Sequence, residues 1–237
     1  MRLFGERVQR NNAMAPKLRF MSARQQVLEV VAARILKTSS PYVLRVAIDG
    51  VDGAGKTTFA DELAQVLKTS GQGVICASVD GFHNPRGIRY RLGRGSPEGF
   101  YYDSYNYDAL KRSLLDPLSP GGSGCYRTAV YDVDAETPVT VPKQQAAPGA
   151  ILLLDGIFLH RPELLEYWDV SVWLGVTFSV SIPRGAQRGT GSPDPYAPQN
   201  RRYVEGQKLY LNESNPQQHA TFVINNDDLN APYVVKQ

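Results

Sequence analysis

The chain has 237 residues, 42% of them hydrophobic and 21% charged, with a formal net charge of +3. That length suits a single globular domain with a core of ordinary size. The small charge gives no argument for a nucleic-acid partner, and no apolar run approaches the roughly 20 residues needed to cross a bilayer.

In chain order, residues 1–21 read as a ragged or disordered start. The first 24 residues carry six basic side chains and one acid, Glu6. An organelle-targeting stretch has a similar look but is usually Ser-rich and acid-free, and Met21 is an alternative start. Ser22-Ala23-Arg24-Gln25 has the pattern of a capping box opening a helix through about Leu36. Val43 to Asp49 is a continuous apolar run with one Arg, the pattern of a buried parallel strand. Residues 56–68 place Phe59, Ala60, Leu63, Ala64 and Leu67 on one helical face. Further strands are expected at Gly73–Val79, Ala150–Leu154, Val170–Val176 and Thr221–Asn225. Residues 81–102 read as a long loop. Helices are expected at Tyr105–Leu115, near 178–188 and at Tyr203–Leu211. Strands alternating with helices predict an α/β fold with a doubly wound parallel sheet. Cys76 and Cys125 form neither a metal spacing nor a disulfide framework, so the expected compartment is the reducing cytoplasm.

Between the first strand and its helix stands Gly50-Val-Asp52-Gly53-Ala54-Gly55-Lys56-Thr57-Thr58, which fits the P-loop spacing at every required position. Glycines there let backbone N–H groups approach phosphate oxygens, and the helix start adds its positive dipole end. Lys56 is placed to reach the β and γ phosphates, and Thr57 to offer a hydroxyl to Mg²⁺. "ILLLDG" ends an apolar strand in Asp155, either a second contact to the metal site or a plain turn residue. "SVDGFH", residues 78–83, puts Asp80 at the carboxyl edge of the sheet, where open α/β folds bind ligands. There it serves as a base for an acceptor hydroxyl or as a turn residue before Gly81. The Asn-Lys-x-Asp element of GTPase switches and the Leu-Ser-Gly-Gly-Gln signature of ABC-type ATPases are both absent from the sequence.

The P-loop, the "DGFH" after strand two, the "LLLDG" strand and a late arginine-bearing helix together resemble the phosphoribulokinase/uridine kinase family, from about Leu44 to Pro232. The resemblance implies a P-loop nucleoside triphosphate hydrolase fold, residues 22–237, with a small lid at about 183–202. It implies transfer of the ATP γ-phosphate, with Mg²⁺, to a hydroxyl of a nucleoside, sugar phosphate or other small acceptor. Lys56 would hold the transferring phosphate, Thr57 and Asp155 would organise Mg²⁺ (uridine kinases usually have Glu at the latter position), and Asp80 would be the base. "SIPRGAQRG" resembles the start of the ATP lid, where Arg184 and Arg188, four apart, either grip phosphates or form a solvated face.

"VYDVDAETP" resembles the pyrimidine-reading segment: Tyr131 and Asp132 match, but Glu136 and Pro138 stand where a His and an Arg are usual. Tyr131 either stacks on a ring or is a core aromatic. Arg86, Arg89, Arg91 and Arg94 suggest a phosphorylated acceptor or a solvated face. The five aromatics of residues 98–108 suggest a substrate wall or core packing, and His83 bonds the acceptor or caps the loop. A uridine kinase-like enzyme is the first reading. The alternatives are a kinase for a phosphorylated sugar, nucleotide or pantothenate-like acceptor, and an ATP-binding regulator. No nucleic-acid or membrane partner is expected, and a homo-oligomer is compatible with the sequence.

Overall fold

The computed structural model describes residues 21–38, 40–189 and 191–237; the expectation for residues 1–21 lies, but for Met21, outside these. After helix α1 (Ala23–Lys37) come β1 (Leu44–Gly50), α2 (Lys56–Thr69) and β2 (Val74–Ser78). A meandering segment follows, with α3 (Arg86–Arg89), α4 (Pro97–Asp103), α5 (Tyr107–Leu110) and α6 (Asp116–Leu118). Two small antiparallel pairs come next: β3 (Cys125–Tyr126) with β6 (Gln144–Gln145), and β4 (Tyr131–Asp132) with β5 (Thr137–Pro138). The chain re-enters the main sheet as β7 (Ile151–Gly156) and β8 (Val170–Gly175), then runs through α7 (Phe178–Gln187), α8 (Arg201–Ser214), α9 (Pro216–His219), β9 (Phe222–Asn225) and β10 (Tyr233–Lys236).

The main sheet has six strands in the order β10-β9-β8-β1-β7-β2. All neighbours are parallel except β10, which runs antiparallel to β9 with a register shift between Val234 and Lys236. Every residue of β1 and of β7 is buried, as expected for central strands covered on both faces. Arg45 is tolerated inside β1 because the Asp169 carboxylate takes its guanidinium at 3.0 and 3.1 Å and Ser119 takes a third bond at 2.8 Å. The capping box at the start of α1 forms by half: Ser22 Oγ accepts the Gln25 N–H at 3.1 Å, but the Gln25 side chain turns to Glu29.

Three sequence expectations need correction. Residues 81–102 are not a featureless loop, since α3 and α4 lie within them; Ser96 caps α4 by accepting the Gly99 N–H at 2.9 Å. The expected helix over 105–115 is broken into α5 and a π turn at Lys111–Leu115. β10 is a strand the sequence reading lacks: only three apolar residues, Tyr233, Val234 and Val235, mark it, and as an edge strand its residues are half-buried or exposed. The Gly/Pro-rich stretch after α7 is folded around Asn200, whose side-chain amide donates to the Ser192 and Asp194 carbonyls at 2.8 and 2.7 Å.

The aromatic run of 98–108 is mostly core. Phe100, Tyr101 and Tyr105 are buried and meet Phe158 edge-on at 5.2 to 6.3 Å between centroids. Phe158 itself takes φ 68°, uncommon for a bulky residue. Complete burial of its ring offsets that strain, since deleting such a ring costs about 3–5 kcal/mol. This cluster fastens the 84–106 segment to the sheet. Gly206 completes the junction, because a Cβ there would press on Phe100 and the Pro97 carbonyl at 2.8 Å, so only glycine lets α8 lie this close to α4.

Candidate active site

Register places the site. Asp155 pairs with Ile48 on one side and with Ser78 on the other. The P-loop, which leaves β1 after Gly50, and the Asp80 turn, which leaves β2 after Ser78, therefore emerge beside Asp155 at one carboxyl edge.

The loop adopts conformations that need its glycines. Gly53 and Gly55 have φ of 76° and 88°, a region where side chains other than glycine's are disfavoured. A Cβ on Gly53 would also collide with the Ser181 carbonyl oxygen of α7. No side chain caps α2, whose N-cap is Gly55, leaving its first amides available to an anion. Lys56 Nζ donates to the Val51 carbonyl at 3.0 Å.

Residues distant in sequence hold the loop. The buried Gln207 of α8 accepts the Asp52 N–H at 2.7 Å and donates to the Tyr203 carbonyl at 2.9 Å. Asn226 donates to the Ala54 carbonyl at 2.8 Å. Beneath Gly50, the fully buried Asp49 accepts the Gly50 N–H on Oδ1 at 2.7 Å. Its Oδ2 faces the His160 N–H at 3.0 Å, His160 Nδ1 at 2.8 Å and the Tyr210 hydroxyl. These holders escape sequence reading because nothing local to them marks the pairing; only Asp49, an acid at the tip of an apolar strand, carries the signal used for Asp155.

At the mouth of the loop, Thr57 Oγ1 donates to Asp155 Oδ2 at 2.7 Å. A hydroxyl and a carboxylate so close are hard oxygen donors, a set that would suit Mg²⁺. Among the described residues no cluster of three His, Cys, Asp or Glu side chains is gathered for a metal. Burial pushes the Asp155 carboxyl above its ordinary range, against the lowering effects of the Thr57 bond and Lys56. Asp52 is likewise raised, first by burial, with Lys56 opposing and Asp80 reinforcing.

Asp80 is exposed and held in place: Tyr105 donates its hydroxyl to Asp80 Oδ1 at 3.0 Å. His83 Nδ1 lies 2.9 Å from the Asp80 carbonyl, and its ring packs on Tyr105 at 4.5 Å. Burial lowers the His83 pKa, so the imidazole favours its neutral form. Tyr105 is a site residue that the sequence does not single out, because it sits within an aromatic run.

Arg184 and Arg188 line a cavity of about 360 Å³ on the outer side of the loop, together with Arg24, Gly53, Gly55, Thr58, Glu62 and Leu229. The Arg184 guanidinium is occupied by the Asn226 carbonyl at 3.0 Å and by that of Asp227. Arg184 is thus a clamp between α7 and the loop after β9 rather than a free phosphate gripper in this state. Arg24, which sequence reading did not single out, reaches the rim from α1, bonding Glu62 at 2.6 Å.

The 131–138 hairpin stands against the Asp80 turn, with the Val130 N–H donating to the Gly81 carbonyl at 2.9 Å. Tyr131 is buried, with its hydroxyl donating to Glu136 at 3.0 Å, and is not free to stack as an open platform. The other carboxylate oxygen of Glu136 takes Arg89. Arg91 pairs with both Asp103 oxygens at 2.8 Å, on the outside. Arg202, buried against Tyr90 and Phe100, donates to the Arg89, Gly93, Arg94 and Ser96 carbonyls and so shapes the arginine loop.

A parallel sheet in this order, with a glycine cradle after its central strand and acids at the neighbouring tips, defines a P-loop nucleoside triphosphate hydrolase fold. The model of the phosphoribulokinase/uridine kinase family matches residues 45–191, and the chain belongs to that family. Among solved structures, one described as a possible uridine kinase from Bacillus stearothermophilus superposes with a TM-score of 0.66 at 22% identity, covering 84% of this chain and 97% of that one. The phosphoribulokinase of Rhodobacter spheroides gives 0.54 at 14% identity over 78% and 71% of the two chains. A thymidylate kinase from Xylella fastidiosa (strain M12) is 34% identical over 145 residues, 57% of this chain and 63% of the relative, so the match spans less than two thirds of that protein. No helix among the described residues is long and apolar enough to cross a membrane.

Proposed function

We propose that the protein is an ATP- and Mg²⁺-dependent kinase that moves a γ-phosphoryl group to a hydroxyl of a small acceptor, with a nucleoside as first choice. The observation that carries this reading is the convergence of Lys56, the Thr57–Asp155 pair and the Tyr105-held Asp80 at one sheet edge. Loop amides and Lys56 bind the phosphate tail, Lys56 leaving the Val51 carbonyl to do so. Thr57 and Asp155 would hold Mg²⁺, which when bound neutralises charge on the phosphate oxygens. The adenosine part fits the cavity bounded by Arg24, Arg184 and Arg188.

In the transfer, the acceptor oxygen forms a bond to the γ phosphorus as the bond to the β-phosphate oxygen breaks. Asp80 takes the hydroxyl proton, and Tyr105 fixes the direction of its carboxylate. His83 would hydrogen-bond the acceptor beside it. Residues 183–202 would act as the lid that keeps water out, with Arg188 free to turn inward.

The thymidylate kinase likeness and the exposed Arg86 favour a second reading with a phosphorylated acceptor. Acceptor-dependent ADP release, measured over a panel of nucleosides, nucleotides, sugars and vitamins, tests the assignment. Release stimulated by one class supports it; MgATP binding with no stimulation by any acceptor would point instead to a nucleotide-binding regulator.

A further inference from the structure

A second cavity, of about 560 Å³, lies between the lid segment and α8, and it shares no lining residue with the donor cavity bordered by Arg184 and Arg188. Its apolar walls are Phe178 at the start of α7, Pro195 and Pro198 of the lid segment, and Val204 of α8. Arg201, Glu205 and Lys208 bring charge to it from the same helix. Helical spacing puts these α8 residues on a different face from Tyr203 and Gln207, which border the space beside Asp52 and hold the P-loop.

The space is built rather than left over. The lid segment is bonded to itself instead of to α8: Asn200 Oδ1 accepts the Ser192 N–H at 3.1 Å, the Asp194 carbonyl accepts the Ala197 N–H at 3.1 Å, and Asp194 Oδ1 accepts the Tyr196 N–H at 3.0 Å. These bonds fix the outer wall, so the cavity is preformed. Tyr196 borders it and is 93% exposed, the highest figure for a large apolar side chain among the described residues. A packed tyrosine buries about 150–250 Å², so a molecule seated beside this ring gains area that the protein alone leaves in water.

Charge narrows the class of molecule. The exposed Arg201 guanidinium has no bonded partner among the described residues. Glu98 of α4 feels its charge but accepts from Ser96 Oγ at 2.8 Å and does not line the cavity. Lys208 is paired with Glu205 at 2.9 Å. Two cations against one lining acid leave a single positive charge in the wall. A planar guanidinium takes a carboxylate through two parallel N–H bonds, and the proline and tyrosine faces suit a flat ring.

We propose that this cavity is a regulatory site for a small aromatic monocarboxylate, held between the lid segment and the outer face of α8. Any lid movement that parts residues 195–198 from α8 dismantles the cavity, so a bound molecule favours the present state and opposes closure. The site itself stands apart from the kinase reading above; its effect on turnover rests on that reading.

The test uses 2-naphthoate and its uncharged counterpart 2-naphthamide, on the full chain saturated with a non-hydrolysable ATP analogue so that the donor cavity is closed to both probes. Calorimetry and saturation-transfer NMR should show 2-naphthoate bound with a Kd below about 1 mM and the amide about tenfold or more weaker. Arg201→Gln should cost about tenfold in 2-naphthoate affinity, and Tyr196→Ala about threefold. Val204→Trp fills the space and should abolish binding; where that variant does not fold, Arg201→Gln decides, because its side chain is exposed. In ADP release with the acceptor that the panel identifies, 2-naphthoate should slow the wild type several-fold, and the slowing should be lost in Arg201→Gln. Absence of binding, equal binding of acid and amide, affinity unchanged in Arg201→Gln, or binding without slowing overturns the proposal. So does a dimer, by sedimentation, that Val204→Trp breaks, since the face would then belong to a second copy. If instead no acceptor stimulates ADP release while 2-naphthoate binds, the kinase reading fails and the site remains.

Discussion

Asp49→Asn tests how the loop is held. Asp49 is fully buried and its two oxygens face four donor contacts: the Gly50 N–H on one, and the His160 N–H, His160 Nδ1 and Tyr210 hydroxyl around the other. An asparagine must turn its NH₂ toward one side. Facing Gly50, it sets donor against donor and strands a buried N–H, at about 1–3 kcal/mol. The bonds that remain at the other oxygen lose their charge assistance, adding about 2 kcal/mol in total. The sum is about 3–5 kcal/mol, since facing the other way costs more. For a chain of this size that lowers Tm by about 6–20 °C. Because Gly50 opens the P-loop, MgATP affinity should fall as well. Urea or thermal unfolding with and without MgATP reads both effects. A loss under 1 kcal/mol with unchanged MgATP affinity would refute the argument that Asp49 ties β1, the 160 region and α8 beneath the loop.

Gly53→Ala adds a Cβ to a residue at φ 76° and drives it into the Ser181 carbonyl; a stability loss of about 2–5 kcal/mol with weakened MgATP binding is expected by unfolding and calorimetry. Arg24→Ala should raise the KM for ATP about three- to tenfold, with kcat within about twofold, because Arg24 lines the outer cavity away from Asp80; an unchanged KM would detach α1 from donor binding. His83 should titrate below its ordinary value of 6.5, since burial lowers it. Its folded pKa being depressed, the unfolded chain takes up the proton first as pH falls, so the stability tied to neutral His83 is complete above 6.5 and declines below it. An NMR titration of the imidazole with a midpoint at or above 6.5 would contradict this.

The parts of the site legible in the sequence are those encoded locally. The P-loop spacing, the apolar strand before it and the amphipathic helix after it depend on neighbours in the chain, and the strand ends bring Asp155 and the Asp80 turn beside them once the strands are parallel. Thr57 and Asp155 are 98 positions apart, and they meet because the β1–β7 register sets Asp155 beside the end of β1, from which the P-loop leads into α2. The rest depends on tertiary partners that no local pattern announces. Gln207 and Asn226 support the loop from beyond residue 200, and α8 shows only a helical period in sequence. Arg89 and Glu136 each look like a surface charge, and their pairing exists because the hairpin folds onto the Asp80 turn. The aromatic run of 98–108 has the composition of a ligand wall, yet Phe158 turns most of it into core. The helices hidden in 81–102 are only four and seven residues long, too short for a period to emerge among glycines and arginines.

Single-turnover transfer by Asp80→Asn, alongside calorimetry with MgATP, bears most directly on the central claim that Asp80 faces the phosphoryl group held by the loop. The variant is expected to bind MgATP about as well as the wild type while the chemical step slows by about 10²–10⁴. Transfer at near the wild-type rate would mean that this carboxylate is not the base and that the acceptor lies elsewhere.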